Sequence, residues 1–291
     1  MMKEKIIILT PVYNDWKNLA KLLSKTNKIF KKQLKTKFEL VIVNDCSEEK
    51  YNFQKYKFSM VKKITILSLF KNVGSQRAIA IGIKYLSIYY KKKFKTIIMD
   101  SDGQDNPKII SKMLSASNTN SKFSIVIDRN QRKDPIWFKI FYELYCFLIK
   151  IFCAKKIRFG NFSLLSNEHL KKMSTKSDLW SAYPPTVSKN IKKLTYLTAD
   201  REKRFGGKSK MSFFKLILHA LKVFTVLKKK VLLFSILYFF ISLLFFFNEK
   251  ITYFYLINFG LIFINLSNFI LSFNNKKNFL KNYKKIKIKI I

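Results

Sequence analysis

From Lys5 to Asp102 the chain alternates short apolar runs with segments of helical periodicity, and this alternation constrains the fold more than any other feature. The apolar runs are KIIILTPVY from Lys5, FELVIVNDCS from Phe38, KITILSLFKN from Lys63 and FKTIIMDSD from Phe94. Strands that are apolar on both sides are typical of a parallel sheet covered by helices on both faces. We therefore predict an α/β fold built on a Rossmann-like parallel sheet.

Polar side chains follow each of these apolar runs. They are Asn14 and Asp15, Asn44 and Asp45, Asn72, and Asp100 and Asp102. Because ligands bind beyond the carboxyl ends of the strands in such sheets, we predict that these groups line one site. Asp100 and Asp102 suit a divalent cation, since oxygen ligands on a tight turn converge and leave positions for phosphate oxygens. A solvated acidic turn is the alternative for this pair taken alone.

Two uncharged apolar runs, residues 231–247 and 251–273, predict a transmembrane hairpin because each is long enough to cross a bilayer. Lysines precede the first run and follow the second. The positive-inside rule therefore places both of these outer ends of the hairpin in the cytoplasm. The predicted domains are a cytoplasmic α/β domain over 1–227, the hairpin over 228–275 and a basic cytoplasmic tail over 276–291. This arrangement predicts a multi-pass protein of the cytoplasmic (inner) membrane with both termini inside.

Two further stretches, near 136–156 and 211–227, combine an apolar, aromatic-rich stripe with lysines. The pattern is typical of a helix that lies in the membrane interface, with aromatics inserted and lysines at the headgroups. A helix packed on the α/β domain is the alternative for the first stretch.

The chain is strongly basic, with 57 Lys and Arg against 17 Asp and Glu and a formal charge of +40 in 291 residues. This excess indicates an anionic partner or compositional drift. A nucleic-acid partner is disfavoured because the basic residues adjoin apolar runs instead of forming a recognised nucleic-acid fold. Cys46, Cys146 and Cys153 lack C-x-x-C spacing, which indicates reduced structural thiols.

Six segments, taken in order, resemble glycosyltransferase family 2. They are TPVYND at 10–15, VIVNDCS at 41–47, KNVGSQRAIAIG at 71–82, IIMDSDGQDNP at 97–107, FGNFSLLS at 159–166 and REKRFGGKSKMSF at 201–213. The similarity extends to the membrane-associated branch that includes dolichyl- and polyprenyl-phosphate sugar transferases. The resemblance implies a GT-A domain that binds a nucleotide sugar, with interfacial amphipathic helices and the C-terminal two-helix hairpin.

The resemblance also assigns roles residue by residue. The nucleotide sugar would be bound by Pro11, Tyr13, Asp15, Asp45, Asn72, Gly74, Arg77 and Asp100. Asp102 and Gln104, with Asp100 beside them, would hold Mg²⁺ or Mn²⁺ at the diphosphate. The acceptor phosphate and the leaving diphosphate would be faced by Arg129, Arg132, Arg201, Arg204, Ser209 and Lys210. Of these residues, Asp100, Asp102, Arg129 and Arg204 are the predicted catalytic ones.

Several positions depart from the family pattern. Asp15 stands where Glu is more frequent, Asn44 replaces the first Asp of a pair, and Cys46 replaces a Gly, which leaves the nucleotide open between UDP and GDP. Asn161 stands where the family often has Asp. A hydroxyl acceptor needs a general base and an anionic lipid phosphate does not, so Asn161 favours a phosphate acceptor, with Asp105 or Asp128 as alternative bases.

The resemblance therefore predicts a metal-dependent, inverting hexosyltransferase that moves sugar from a nucleotide diphosphate donor to polyprenyl phosphate for cell-envelope synthesis. One alternative is a family 2 enzyme that glycosylates a hydroxyl of a cell-surface glycan or glycolipid. A non-catalytic membrane scaffold with a degenerate transferase domain is a more distant alternative. The predicted partners are the donor, the lipid acceptor and membrane lipids, without nucleic acid, and a homo-oligomer is compatible with the sequence.

Overall fold

A computed structural model describes residues 4–49, 56, 58–118, 123–129, 136–153, 157–206, 213–247, 250–273 and 275–291. The strands are β1 Lys5–Val12, β2 Phe38–Asn44, β3 Val61–Ser68, β4 Phe94–Ile98, β5 Ser124–Arg129, β6 Phe159–Ser166, β7 Leu194–Ala199 and β8 Lys287–Ile290. The helices are α1 Trp16–Ile29, α2 Ser75–Tyr89, α3 Ile109–Asn118, α4 Ile136–Cys153, α5 Asn167–Ser174, α6 Tyr183–Asn190, α7 Phe213–Val226, α8 Lys228–Phe246, α9 Ile251–Ser272 and α10 Asn275–Lys284.

Within the described ranges the eight strands form one sheet in the order β7-β5-β6-β4-β1-β2-β3-β8. The strands β4, β1, β2 and β3 are mutually parallel, as the apolar runs predict. The sheet as a whole is mixed, however. Strand β6 runs antiparallel between β4 and β5, and β8 runs antiparallel along the edge of β3.

Side chains that alternate along β1 and β2 supply two separate apolar layers. Ile7, Leu9 and Val41 pack with α2 on one face, whereas Ile8 and Leu40 pack with α1 and α3 on the other. All five side chains are buried. Both faces of the parallel strands are thus covered, which is why these strands are apolar throughout and carry their polar groups only at the ends.

The predicted amphipathic and apolar stretches all form helices, with ends that differ from the predictions by a few residues. The segment 276–291, expected only as a basic tail, is more ordered than that expectation. It contributes α10, which packs on α2, and β8, whose Ile290 pairs with Thr65 of β3. The chain therefore returns from the apolar helices to the α/β domain and extends its sheet.

Candidate active site

The carboxyl ends of adjacent parallel strands meet at one edge of the sheet. Val12 at the end of β1 pairs with Asn44 at the end of β2, and Leu9 of β1 pairs with Ile98 at the end of β4. The Asp45 amide extends this pairing by donating to the Val12 carbonyl at 2.8 Å. The polar groups that follow these three strands consequently lie on one rim, as predicted.

Asp45 holds the turn that leads into α2. Its Oδ1 accepts a hydrogen bond from the Val73 amide at 2.7 Å, and its Oδ2 accepts one from the Gly74 amide at 2.8 Å. Gly74 has a φ of 90°, which other residues rarely adopt, so the turn requires glycine. Burial raises the pKa of Asp45 to about 6 against the opposing effect of the two backbone hydrogen bonds. Both carboxylate oxygens thus shape the rim.

Arg77, in the first turn of α2, packs against Trp180. Its Nε donates to the Trp180 carbonyl at 3.2 Å, and its guanidinium carbon lies 5.0 Å from the centre of the indole ring. Burial lowers the pKa of Arg77, while the nearby charge of Asp45 opposes this shift. The contact with Trp180 sets the position of the guanidinium beside the rim.

Asp100 and Asp102 lie on the tight loop after β4. Asp100 Oδ1 accepts from Asn161 Nδ2 at 2.9 Å, and Asp102 Oδ1 accepts from the Gln104 amide at 3.0 Å. Asp105 is buried and its Oδ2 accepts from the Asp100 amide at 3.1 Å. The Asp105 carboxylate therefore stabilises the loop that carries the other two acids.

The segment 201–206 lies across this loop. The Phe205 amide donates to the Asp102 carbonyl at 3.2 Å, and the Glu202 amide donates to the Gln104 carbonyl at 2.9 Å. Gly103 has a φ of 81°, and a Cβ at this position would overlap the ring of Phe205. The close approach of the two segments therefore depends on glycine at position 103.

Arg204 connects two sides of the rim. Its Nη2 lies 2.6 Å from Asp15 Oδ2 and its Nη1 lies 3.4 Å from Asp102 Oδ2, while its Nε donates to the Gly206 carbonyl at 3.0 Å. The structure thus brings together three residues to which the resemblance assigns contacts with nucleotide, metal and diphosphate. Arg204 contacts the acids directly, an ion pair that the sequence did not predict.

The carboxylates of this rim fit a divalent cation that a substrate helps to coordinate. No group of three or more His, Cys, Asp or Glu side chains placed to hold a metal occurs in the described ranges. Asp100 and Asp102 supply two carboxylates. Mg²⁺ is commonly bound by one or two carboxylates, with water and substrate phosphates completing its coordination. Asp102 Oδ2 already accepts a cationic partner, Arg204. The residues are therefore compatible with a metal ion bound between protein and diphosphate.

The remaining predicted residues are placed as follows. Pro11 is buried in β1, Tyr13 and Gln104 are half-buried, and Asn72 is exposed before α2. Arg129 ends β5, and the Nε of Arg201 is buried without a hydrogen-bond partner among the described atoms. The side chain of Arg129 and the residues Arg132, Ser209 and Lys210 lie outside what the structure describes.

Three residues that contact the site escaped the sequence analysis: Gln76, Trp180 and Phe205. Gln76 and Phe205 lie within the segments KNVGSQRAIAIG and REKRFGGKSKMSF, beside the more conspicuous Arg77 and Arg204. Trp180 lies in the 3-10 helix Ser177–Trp180, in a segment without a recognisable motif. Their role depends on contacts between distant segments, which spacing along the chain does not reveal.

Comparison with known proteins agrees with this geometry. The profile of glycosyl transferase family 2 matches residues 7–173, more than half of the chain. An uncharacterised glycosyltransferase of Synechocystis sp. is 26% identical over 225 residues, which cover 74% of this chain and 67% of that protein.

The fold is also similar to that of glucosyl-3-phosphoglycerate synthase from Mycobacterium tuberculosis. Its complex with Mn²⁺ and UDP-glucose gives a TM-score of 0.53 at 9% identity and covers 78% of this chain and 79% of that one. Its complex with Mn²⁺, UDP and glucosyl-3-phosphoglycerate gives 0.51 at 10% identity and covers 79% and 80%. Since the family profile spans the rim from β1 through Asn161, the chain belongs to glycosyl transferase family 2 and is a glycosyltransferase with a GT-A-like fold.

Proposed function

We propose that this glycosyltransferase is anchored in the cytoplasmic membrane and moves a hexose from a nucleotide diphosphate sugar to polyprenyl phosphate, with inversion at the anomeric carbon. The observation that carries the proposal is the short path from the rim to the apolar hairpin. Among the described residues, α7 is the one helix between the segment of Arg204 and α8 along the chain, and α7 packs on α9 and on the 3-10 helix of Trp180. A lipid-linked acceptor embedded beside the hairpin would therefore present its phosphate close to the rim.

The pattern of side chains on α8 and α9 supports membrane insertion. The two helices are long and apolar enough to cross a bilayer. Large apolar side chains face outward, as shown by Leu244 at 81% exposure and Phe259 at 70%, whereas the polar Ser242 is buried. Asn265 Nδ2 donates to Ser235 Oγ at 2.8 Å between the helices. Polar groups inside and apolar groups outside are expected of helices surrounded by lipid.

The contact between the two ends of the hairpin supports the proposal that the segments flanking it lie on the same side of the membrane. Lys228 Nζ donates to Ser272 Oγ at 3.2 Å, so the start of α8 and the end of α9 lie together. Lysines follow at 276, 277, 281 and 284, which favours a cytoplasmic location for this end. The catalytic domain would then lie on the cytoplasmic side, where nucleotide sugars are available.

The surroundings of Asp100 favour a phosphate acceptor. Asn161 donates to Asp100, and an amide does not accept a proton at neutral pH. The buried Asp105 carboxylate is held by the Asp100 amide. An ionised acceptor phosphate needs no base, because its oxygen attacks the anomeric carbon as the bond to the nucleotide diphosphate breaks. No proton has to be removed in this step.

The chain's own residues would bind and orient the reactants. Asp100, Asp102 and Gln104 would hold the divalent cation, which neutralises charge on the leaving diphosphate when it is bound. Arg204 would exchange its carboxylate partners for phosphate oxygens, for which a guanidinium is well suited. Asp15, Asp45, Gly74 and Arg77 would position the nucleoside.

The proposal is tested by supplying the purified full-length protein with Mn²⁺, labelled UDP- or GDP-sugars and undecaprenyl phosphate. We expect a butanol-extractable labelled lipid whose formation is lost in Asp102→Asn and retained in the exposed-site control Glu48→Gln. Labelling of a hydroxyl-bearing glycan or glycolipid with no lipid phosphate product would overturn the acceptor assignment and support the alternative family 2 reaction. Activity of Asp102→Asn equal to that of the unsubstituted protein would overturn the metal assignment.

A further inference from the structure

We infer that Gln76 is a positioning residue that fixes the orientation of the Asn161 amide and, through it, the Asp100 carboxylate. The inference rests on the proposed role of Asp100 at the diphosphate. Gln76 lies in the first turn of α2, Asn161 lies on β6 and Asp100 follows β4. Three separate elements are thus linked by one chain of hydrogen bonds, which we call the amide relay: the Tyr183 backbone amide, Gln76, Asn161 and Asp100.

The relay consists of three short hydrogen bonds. The Tyr183 amide donates to Gln76 Oε1 at 2.8 Å, Gln76 Nε2 donates to Asn161 Oδ1 at 2.8 Å, and Asn161 Nδ2 donates to Asp100 Oδ1 at 2.9 Å. Each side chain amide uses its oxygen toward Tyr183 and its nitrogen toward Asp100.

The direction of the relay is determined at both of its ends. A backbone N–H can only donate, so Gln76 must turn its oxygen toward Tyr183 and its nitrogen toward Asn161. An ionised carboxylate can only accept, so Asn161 must turn its nitrogen toward Asp100. Both requirements are met by the same arrangement. Gln76 therefore excludes the flipped Asn161 rotamer, in which the amide oxygen would face the carboxylate.

The surrounding packing leaves the relay little freedom. Asn161 is 7% exposed and Tyr183 is fully buried. The Tyr183 hydroxyl and Ser163 Oγ are 2.6 Å apart, and Ser163 Oγ donates to the Asn161 carbonyl at 2.9 Å. These hydrogen bonds tie together the backbone on the two sides of the Gln76–Asn161 contact. Because solvent has little access to Asn161, the hydrogen bond from Gln76 is what opposes rotation of the Asn161 amide.

The relay has a consequence for the charge that Asp100 presents. One oxygen of Asp100 accepts from the relay, and the same loop carries Asp102. A donor aimed at Asp100 stabilises its ionised form and fixes the plane of its carboxylate, whereas an amide oxygen at the same place would repel it. Correct orientation of Asn161 would therefore favour binding of a cation and diphosphate at this loop.

The test compares two nearly isosteric substitutions of Gln76 in the full-length protein. Gln76→Glu can still accept from Tyr183, but it can only accept from Asn161, which forces the Asn161 oxygen toward Asp100. Gln76→Met removes both hydrogen bonds and leaves Asn161 free to keep its nitrogen on Asp100. Ser75→Ala, at the exposed neighbouring position, is the matched control.

The readouts are the affinity for UDP and for GDP with Mn²⁺, measured by calorimetry without any acceptor, and the melting temperature. We expect Gln76→Glu to weaken Mn²⁺-dependent nucleotide binding about tenfold or more, as for a lost hydrogen bond to a charged group. Gln76→Met should weaken it less, and Ser75→Ala should leave it unchanged. If Gln76→Glu binds nucleotide more weakly than Gln76→Met and both variants melt cooperatively, the effect comes from the direction of the hydrogen bonds in the relay and not from lost packing.

Equal nucleotide affinity in Gln76→Glu and the unsubstituted protein would overturn the positioning role, as would weaker binding in Gln76→Met than in Gln76→Glu. If Gln76→Glu does not fold, Gln76→Met with affinity equal to that of Ser75→Ala would overturn it. Absence of Mn²⁺-dependent binding of either nucleotide by the unsubstituted protein is a different result. It would overturn the proposed function first, and this role with it.

Discussion

Phe279 of α10 stacks on Trp180, with ring centres 5.6 Å apart and planes inclined by 25°. Trp180 also contacts Arg77, through its carbonyl and its indole ring. Helix α10, which follows the apolar hairpin, therefore packs against the residue that positions Arg77 at the rim. Phe279 is 4% exposed. Helix α10 therefore packs as part of the α/β domain, although α7 and the apolar helices α8 and α9 separate it from Trp180 along the chain.

Phe279→Ala should remove the stack and leave a cavity behind Trp180. We expect a loss of stability of about 3 kcal/mol and a higher KM for the donor, because Arg77 loses the support of a fixed indole. Thermal unfolding and donor titration measure the two effects. Leu280→Ala, at a side chain that is 38% exposed, is the control. A folded Phe279→Ala protein with an unchanged donor KM would show that Trp180 does not transmit this support.

Arg204→Ala should separate metal binding from turnover. Arg204 competes with a cation for Asp102, so its removal should strengthen binding of Mn²⁺ alone. The same change should lower kcat by about a hundredfold, because an arginine that stabilises a leaving diphosphate contributes on the order of 3 kcal/mol. Mn²⁺ titration and steady-state kinetics test both. Lys203→Ala, the exposed neighbour, should change neither; an unchanged kcat in Arg204→Ala would remove this residue from the reaction.

Asn161→Asp should place a second carboxylate against Asp100. Like charges at hydrogen-bond distance disfavour ionisation of both groups, so we expect transfer to a lipid phosphate to fall about tenfold or more. Asn167→Asp, the same substitution at the first residue of α5 directly after β6, is the control. Assays with phosphate and hydroxyl acceptors measure the effect. A gain of transfer to a hydroxyl would instead indicate that a base at this position is what the reaction needs.

The stability of the fold should depend on the ionisation of Asp45. Folding raises the pKa of Asp45 from 3.8 to about 6, so the folded state binds more protons than the unfolded state between these values. This contribution is present below pH 4 and is lost as the pH rises to about 6, by about 3 kcal/mol. Melting temperatures of Asp45→Asn and the unsubstituted protein, compared at both pH values, measure it. Relative to the unsubstituted protein, Asp45→Asn should melt at a higher temperature at the higher pH than it does at the lower pH. The exposed-site variant Glu48→Gln should show no such pH dependence.

Much of the fold was predictable because local patterns determine it. The apolar runs before Asp15, Asp45 and Asp100 form strands that are buried on both faces. Burial on both faces requires apolar side chains throughout, which the sequence shows directly. The strand β8 was not predictable in this way. Its KIKI pattern is short, all four residues are exposed, and only the available edge of β3 makes it a strand.

The candidate site was predictable in its residue types and less so in its contacts. The acids and Arg204 were expected near one another from the resemblance, but the bond from Arg204 to Asp15 depends on how 201–206 folds over Gly103. Asp105 was expected as an alternative base. It precedes α3, which starts at Ile109, and its carboxylate accepts a hydrogen bond from the Asp100 amide. Side chain to backbone bonds of this kind compete with helix capping, and the sequence alone does not rank them.

The antiparallel pairing of β8 with β3 also determines the order in which the protein can be completed. The ribosome makes β3 before the two apolar helices and β8 after them. Until Ile290 reaches Thr65, the edge of β3 is an open row of backbone donors and acceptors. The last residues can return to it only after the hairpin has turned back on itself. Closure of the sheet at this edge therefore depends on the hairpin bringing the end of α9 back to the start of α8.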